Sequence, residues 1–173
     1  MINFTKRNIL ETFLINLPII LLFISVLNEF DFNYLGFKYF SFNFPFILLF
    51  YWSLKKPENL GYGLIFISGL FNDVVVGLPI GISSFSYLLI CGFASYLRNI
   101  TLRPSIIKDW IFFFIATLIV NSLNYSILVI FFDLEIDIIY SSINLIFTFL
   151  FYIIFANLFQ FYQNIAFGRN KND

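Results

Sequence analysis

Long apolar stretches, separated by short clusters of charged residues, dominate the chain and predict membrane-spanning helices. A helix that crosses a bilayer needs about 20 predominantly apolar residues. Most of the stretches are near that length, while the second and third are short for a span. The pattern therefore predicts an all-α integral membrane protein with a single six-helix domain. The predicted spans are residues 9–27, 39–54, 60–76, 79–97, 110–132 and 138–161.

The charged residues between the spans predict the orientation. With six spans, one side of the membrane receives Lys6, Arg7, Lys55, Lys56, Arg98, Arg103, Lys108, Arg169 and Lys171. The other side receives Glu29, Asp31, Asp133, Glu135 and Asp137, together with Lys38. Because basic residues collect on the cytoplasmic side, we expect both termini in the cytoplasm. The first apolar run ends without a small-residue cleavage motif, so we expect it to be retained as a span and not removed as a signal peptide.

The composition supports a lipid environment and excludes several kinds of chemistry. Hydrophobic residues make up 60% of the chain and charged residues 12%, against about 45–50% and about 25% in soluble domains. The formal net charge is zero, which gives no indication of nucleic-acid binding. The chain has no histidine and a single cysteine, Cys91, so we expect no disulfide and no zinc cluster. With no nucleophile–base pair and no phosphate loop either, we predict a protein without enzymatic activity or cofactor.

Polar side chains inside the predicted spans need partners, because lipid offers none. Asn121 and Asn124 lie three residues apart, and therefore on one face of the fifth span. Further polar residues within spans are Asn16, Asn144, Thr148 and Asn157. We expect most of them to form hydrogen bonds between helices, each worth about 1 kcal/mol or less. Binding of a substrate is the alternative.

The most unusual polar residue is Asp73, which has apolar residues on both sides. Counting in steps of four along the third span gives one helical stripe: Gly61, Ile65, Gly69, Asp73 and Gly77. Glycine is unfavourable in a helix unless something packs closely against it, so this stripe predicts that Asp73 faces protein. The chain turns just after it, which places the carboxylate about one helical turn below the outer surface.

Three roles are open to Asp73. As a structural clamp, its carboxylate would accept hydrogen bonds from backbone N–H groups at the start of span four, or from Ser83 or Ser84, near the positive end of that helix dipole. It could instead contact a partner or ligand. A proton relay is the least supported role, because no second intramembrane carboxylate or histidine pairs with it.

Small residues on the fourth span predict close helix packing. Span four begins with the sequence GISSFS and later carries Cys91 and Ser95, four residues apart. Small residues at this spacing allow another helix to approach closely. The helix that approaches could belong to the same chain, or the glycine stripe of span three and the small residues of span four could form a groove for a helix of another protein.

Residues 45–99 resemble the MreD family of bacterial rod shape-determining membrane proteins. The shared features are a Pro- and aromatic-rich second span, a short basic loop, the pattern G-x-x-x-D-x-x-x-G-x-P-x-G, and a span of small residues with a basic exit. In this chain they are Pro45, Tyr51, Trp52, Lys55, Lys56, Pro57, Gly69, Asp73, Gly77, Pro79, Gly81 and Arg98.

The resemblance implies a fold like that of the substrate-binding components of energy-coupling-factor transporters. It also implies a non-enzymatic scaffold of the cell-wall elongation machinery in the inner membrane. The implied partner is an MreC-like protein with one transmembrane helix, in a complex that includes RodA, a class B penicillin-binding protein and the MreB filament. The alternative is a vitamin-binding transporter subunit, for which neighbouring genes would encode transporter ATPases and not an MreC-like protein.

Overall fold

The computed structural model describes residues 9–27, 41–101, 105–134 and 137–168, and within these ranges the protein is all-α. A short 3₁₀ helix, Pro57–Asn59, follows the second α-helix. The described part contains no β-strand. The α-helices are α1 (Ile9–Leu27), α2 (Phe44–Lys55), α3 (Tyr62–Val76), α4 (Ile82–Ile100), α5 (Ile106–Phe132) and α6 (Ile138–Gly168).

Two of the described helices are long and apolar enough to cross a membrane. They are α5, Ile106–Phe132, and the segment Ile138–Asn164 of α6. This statement rests on length and composition alone. That all six helices cross the bilayer stays a prediction.

The helix bounds differ from the predicted spans where capping and charge set the ends. The second span was predicted from residue 39, but α2 begins at Phe44 because the Asn43 side chain caps it, accepting from the Phe46 N–H group at 3.1 Å. Residues 39 and 40 lie outside the described part. The fifth helix begins at Ile106, before the predicted 110, since helical hydrogen bonding continues past the apolar segment into charged residues.

Helix α2 forms the centre of the protein. All its residues from Phe44 to Leu54 are buried. It packs most extensively on α4 and also contacts α1 and α6. At about 1.5 Å per residue, a helix of 12 residues is about 18 Å long, well short of the roughly 30 Å hydrocarbon core of a bilayer.

Aromatic rings join α2 to the two longest helices. The ring of Phe50 lies edge-on to that of Phe113, with centroids 5.1 Å apart. Phe113 stacks on Tyr152 at 4.5 Å. Pairs of this geometry contribute about 0.5–1.5 kcal/mol beyond the area they bury. The aromatic residues therefore act here as packing between α2, α5 and α6.

Hydrogen bonds between polar side chains connect neighbouring elements. The Ser86 hydroxyl donates to Asn124 Oδ1 at 2.9 Å, linking α4 to α5. Asn144 Nδ2 donates to Ser41 Oγ at 2.8 Å, linking α6 to the segment before α2. The Asn124 bond confirms the expected hydrogen bonding between helices, whereas Asn144 bonds to a residue outside the helices. The side chain of Asn121 forms no hydrogen bond with any residue that the structure describes.

Candidate functional site

The carboxylate of Asp73 closes the turn between α3 and α4. Its Oδ2 accepts from the Gly81 N–H group at 2.7 Å, and its Oδ1 accepts from the Ser83 N–H group at 2.8 Å. Asp73 is completely buried. The two donors are at the N terminus of α4, where the helix dipole favours negative charge. Backbone groups, and not serine hydroxyls, therefore hold this carboxylate.

The main chain of Asp73 holds the other half of the same turn. Its carbonyl oxygen accepts from the Gly77 N–H group, which caps α3, and from the Leu78 N–H group at 2.9 Å. Gly77 has φ +75° and Gly81 has φ +107°, a region that favours glycine. Pro79 lies between them, and its carbonyl oxygen accepts from the Ile82 N–H group at 3.3 Å. One residue thus fixes both the end of α3 and the start of α4.

Gly69 allows the backbones of α3 and α4 to come into contact. A Cβ atom added at Gly69 would lie 2.5 Å from Ser84 N and 2.7 Å from Ser84 Oγ. The Ser84 hydroxyl donates to the Phe66 carbonyl oxygen at 2.8 Å. One turn further along α3, Asn72 Nδ2 donates to Ser83 Oγ at 2.9 Å. The glycine stripe therefore faces α4 of the same chain at this position.

The structure brings most of the sequence-predicted site residues to this turn, but not Cys91 or Ser95. Both lie further along α4, towards its C terminus. Cys91 is a buried free thiol within the hydrophobic core, and Ser95 is half-buried. The residues gathered around the turn are Gly69, Asp73, Gly77, Pro79, Gly81, Ser83 and Ser84.

An ion pair at the opposite end of the protein was not predicted. Lys55 Nζ lies 2.8 Å from Asp109 Oδ2, joining the C terminus of α2 to the first turn of α5. The Asp109 side chain is 4% exposed and that of Lys55 28% exposed. The sequence feature that could have indicated this pair is Asp109 itself, an acidic residue beside Lys108 in an otherwise basic segment just before an apolar run. Hydropathy alone gave no reason to pair it with a residue 54 positions earlier.

The arrangement around Asp73 supports a structural role more readily than catalysis. Both carboxylate oxygens accept bonds from backbone N–H groups, and the side chain has no contact with solvent. Among the described residues there is no group of three or more His, Cys, Asp or Glu side chains that could hold a metal ion. This geometry connects α3 rigidly to α4.

Comparison with known proteins gives one match. A family model described as "rod shape-determining protein MreD" matches residues 6–164, nearly the whole chain. No curated protein and no solved structure matches.

Proposed function

Because the chain belongs to the MreD family of rod shape-determining proteins, we propose that it is a multi-pass inner-membrane scaffold of the cell-wall elongation machinery. The family consists of membrane proteins that determine cell shape and are not known as enzymes. The observation that carries the proposal is the family match over residues 6–164.

The proposed orientation has both termini in the cytoplasm. Described basic residues support it, because they collect at the end of the protein formed by the C termini of α2 and α4 and the N terminus of α5: Lys55, Lys56, Arg98 and Lys108. The acidic Asp133 and Asp137 lie at the other end, between α5 and α6. Asp109 is an acidic residue at the basic end, and Lys55 neutralises it. The segregation matches the positive-inside rule for six spans.

We propose that the scaffold binds the transmembrane helix of an MreC-like protein, in a complex with RodA, a class B penicillin-binding protein and the MreB filament. The surface that we propose for this contact is an exposed face of α4. Phe85, Leu88, Gly92 and Tyr96 are exposed along it, and a Cβ atom added at Gly92 would meet nothing within 4 Å. Ser95 is next to this face. A glycine with open space above it allows a second helix to approach closely, whereas Gly69 already contacts α4 of its own chain.

Two linked experiments test the proposal. The first expresses the chain in a rod-shaped host depleted of its own family member, where restored rod shape is expected and persistent rounding would contradict a role in cell shape. The second co-purifies the tagged protein with the MreC-like protein. Gly92→Leu and Ser95→Leu should abolish co-purification at normal membrane levels, because a larger side chain separates the helices. Gly63→Leu is the matched control, since Gly63 is also exposed with open space around it.

The outcomes distinguish the scaffold from the alternative function. If Gly92→Leu inserts normally and still co-purifies fully, the α4 face is not the partner surface. If the wild-type protein co-purifies with transporter ATPases and not with an MreC-like protein, the vitamin-binding transporter subunit replaces the scaffold. The likeness to the substrate-binding components of energy-coupling-factor transporters stays a prediction.

A further inference from the structure

A cavity of about 340 Å³ lies between the helices at the end of the protein that carries the Asp73 turn. Its volume falls within the roughly 300–1,000 Å³ of small-molecule sites. Each helix, or the residue that caps it, contributes to the lining near the same end of the bundle. Representative lining residues, in the order α1 to α6, are Ser25, Asn43, Asn72, Ser86, Asn124 and Asn144.

The lining of this cavity combines polar and apolar side chains, and its described members carry no charge. Side-chain amides and hydroxyl groups form its polar part, together with the phenol groups of Tyr87, Tyr125 and Tyr140. No Asp, Glu, Lys or Arg of the described residues lines it. An ion placed there would lose its hydration without gaining a counter-charge from the described lining residues, which is costly. An acyl chain would leave the amide groups without partners. The lining therefore favours a neutral molecule that forms hydrogen bonds.

Several of these polar groups retain unused hydrogen-bonding capacity. Asn124 accepts through Oδ1 from Ser86, which leaves its amide N–H groups unused, and Asn72 donates to Ser83, which leaves its carbonyl oxygen unused. Asn121 lines the cavity, and its side chain forms no hydrogen bond within the described part of the protein.

Tyr87 is the most informative of the lining residues. It is 2% exposed and lines the cavity. Buried polar side chains almost always have partners, and an unpaired one lowers stability. A molecule in the cavity, either water or a ligand, can therefore complete the hydrogen bonding of the Tyr87 hydroxyl group.

We propose that this cavity binds a neutral polar small molecule of about monosaccharide size that carries hydroxyl and amide groups, such as a carbohydrate. The asparagine amides match hydroxyl and acetamido groups, because each amide both donates and accepts. Phe42, Phe46 and the tyrosines add aromatic surface for the C–H face of a sugar ring. This inference rests on the cavity alone and not on the proposed scaffold function.

The test uses the purified full-length protein in nanodiscs. Thermal unfolding and calorimetric titration are measured with two neutral probes, N-acetylglucosamine and methyl glucoside, and with two charged analogues, glucosamine and glucuronate. We expect at least one neutral probe to raise the melting temperature saturably, because a ligand that binds only the folded state stabilises it. The charged analogues should have no such effect. Equal effects of neutral and charged probes, or no saturable effect of either neutral probe, would overturn the proposal.

Two variants test whether the neutral probe binds in this cavity. Tyr87→Phe removes only the hydroxyl group, and Asn121→Leu removes the amide that lacks a partner. Each should weaken binding of the neutral probe about fivefold or more, the effect of losing roughly one hydrogen bond. The matched controls are Tyr62→Phe and Asn157→Leu, at exposed positions outside the lining, and they should bind as the wild type does. If Asn121→Leu does not fold, Asn121→Ser takes its place. Unchanged binding by both cavity variants would overturn the assignment of the site.

Discussion

The Asp73 carboxylate accepts a 2.7 Å hydrogen bond from the backbone N–H group of Gly81, a residue with φ +107°. A bond of this kind, from a backbone donor to a charged acceptor, is stronger than a neutral one. It fixes the point at which the chain leaves the turn and enters α4. The partners are eight residues apart, so this one hydrogen bond spans most of the turn between α3 and α4.

Replacing Asp73 should therefore destabilise the turn in a graded way. Asp73→Asn removes the charge and one of two acceptors, at a cost of roughly 1.5–3 kcal/mol. Asp73→Leu should be worse, because the Gly81 and Ser83 N–H groups are then buried without a partner. Thermal unfolding in detergent measures both. Asp133→Asn is the control, since Asp133 is exposed and asparagine tolerates its left-handed conformation. Wild-type melting of Asp73→Leu would show that the carboxylate is not a clamp.

Gly69→Ala should separate α3 from α4. The added methyl group would meet the backbone of Ser84, which cannot move aside as a flexible side chain can. Overpacking of this kind costs roughly 1–3 kcal/mol, so we expect a lower melting temperature and a lower level in the membrane. Gly92→Ala is the matched control, because open space surrounds Gly92 in α4. Equal stability of the two variants would contradict the close approach at Gly69.

The ion pair between Lys55 and Asp109 should respond asymmetrically to substitution. Lys55→Met leaves a carboxylate that is 4% exposed without its counter-charge, whereas Asp109→Asn leaves a lysine that is 28% exposed. Breaking a fully buried pair costs about 3–5 kcal/mol, and the partial exposure of Lys55 lowers that figure through solvent screening.

Thermal unfolding should therefore rank Lys55→Met as the less stable single variant. The double variant Lys55→Met/Asp109→Leu should recover part of the loss, because it leaves no unpaired charge. Lys108→Met, at an exposed position beside the pair, controls for the loss of a basic residue. The pair would have no structural role if both single variants melted as the wild type does.

The proposed topology predicts which sites an impermeant thiol reagent reaches from outside intact cells. In a Cys91→Ser background, single cysteines replace Asp31, Pro57, Arg103, Glu135 or Lys171. Only the cysteines at 31 and 135 should react, because the positive-inside pattern places the other three in the cytoplasm. Labelling of all five after the cells are permeabilised controls for reactivity. Reaction at 57 or 103 in intact cells would exclude this topology.

Local signals in the sequence explain which features could be predicted. The four-residue spacing of Gly69, Asp73 and Gly77 shows that one face of α3 meets protein, because helical periodicity is a local property. The start of α2 was also readable, since an asparagine cap followed by an early proline is a helix-start signal. The hydropathy pattern was given more weight than this signal, so the second span was predicted to begin at residue 39.

The features that escaped prediction depend on distant parts of the chain. Lys55 and Asp109 come from helices that are adjacent only after folding. The cavity combines side chains of all six helices, and no window of sequence shows that Tyr87 and Asn121 line the same space. Helical spacing shows which residues share a face of one helix, but not which other helix that face meets.

The enclosed position of α2 has a consequence for how the protein is made. A helix of 12 residues covers only part of the roughly 30 Å hydrocarbon core, and exposed backbone at its ends would lack hydrogen-bond partners in lipid. In the finished protein α4, α1 and α6 surround it, so it has no need of a lipid-facing surface. Two of these three helices are synthesised after α2. We therefore expect α2 to become fully enclosed only after these later parts of the chain have been made.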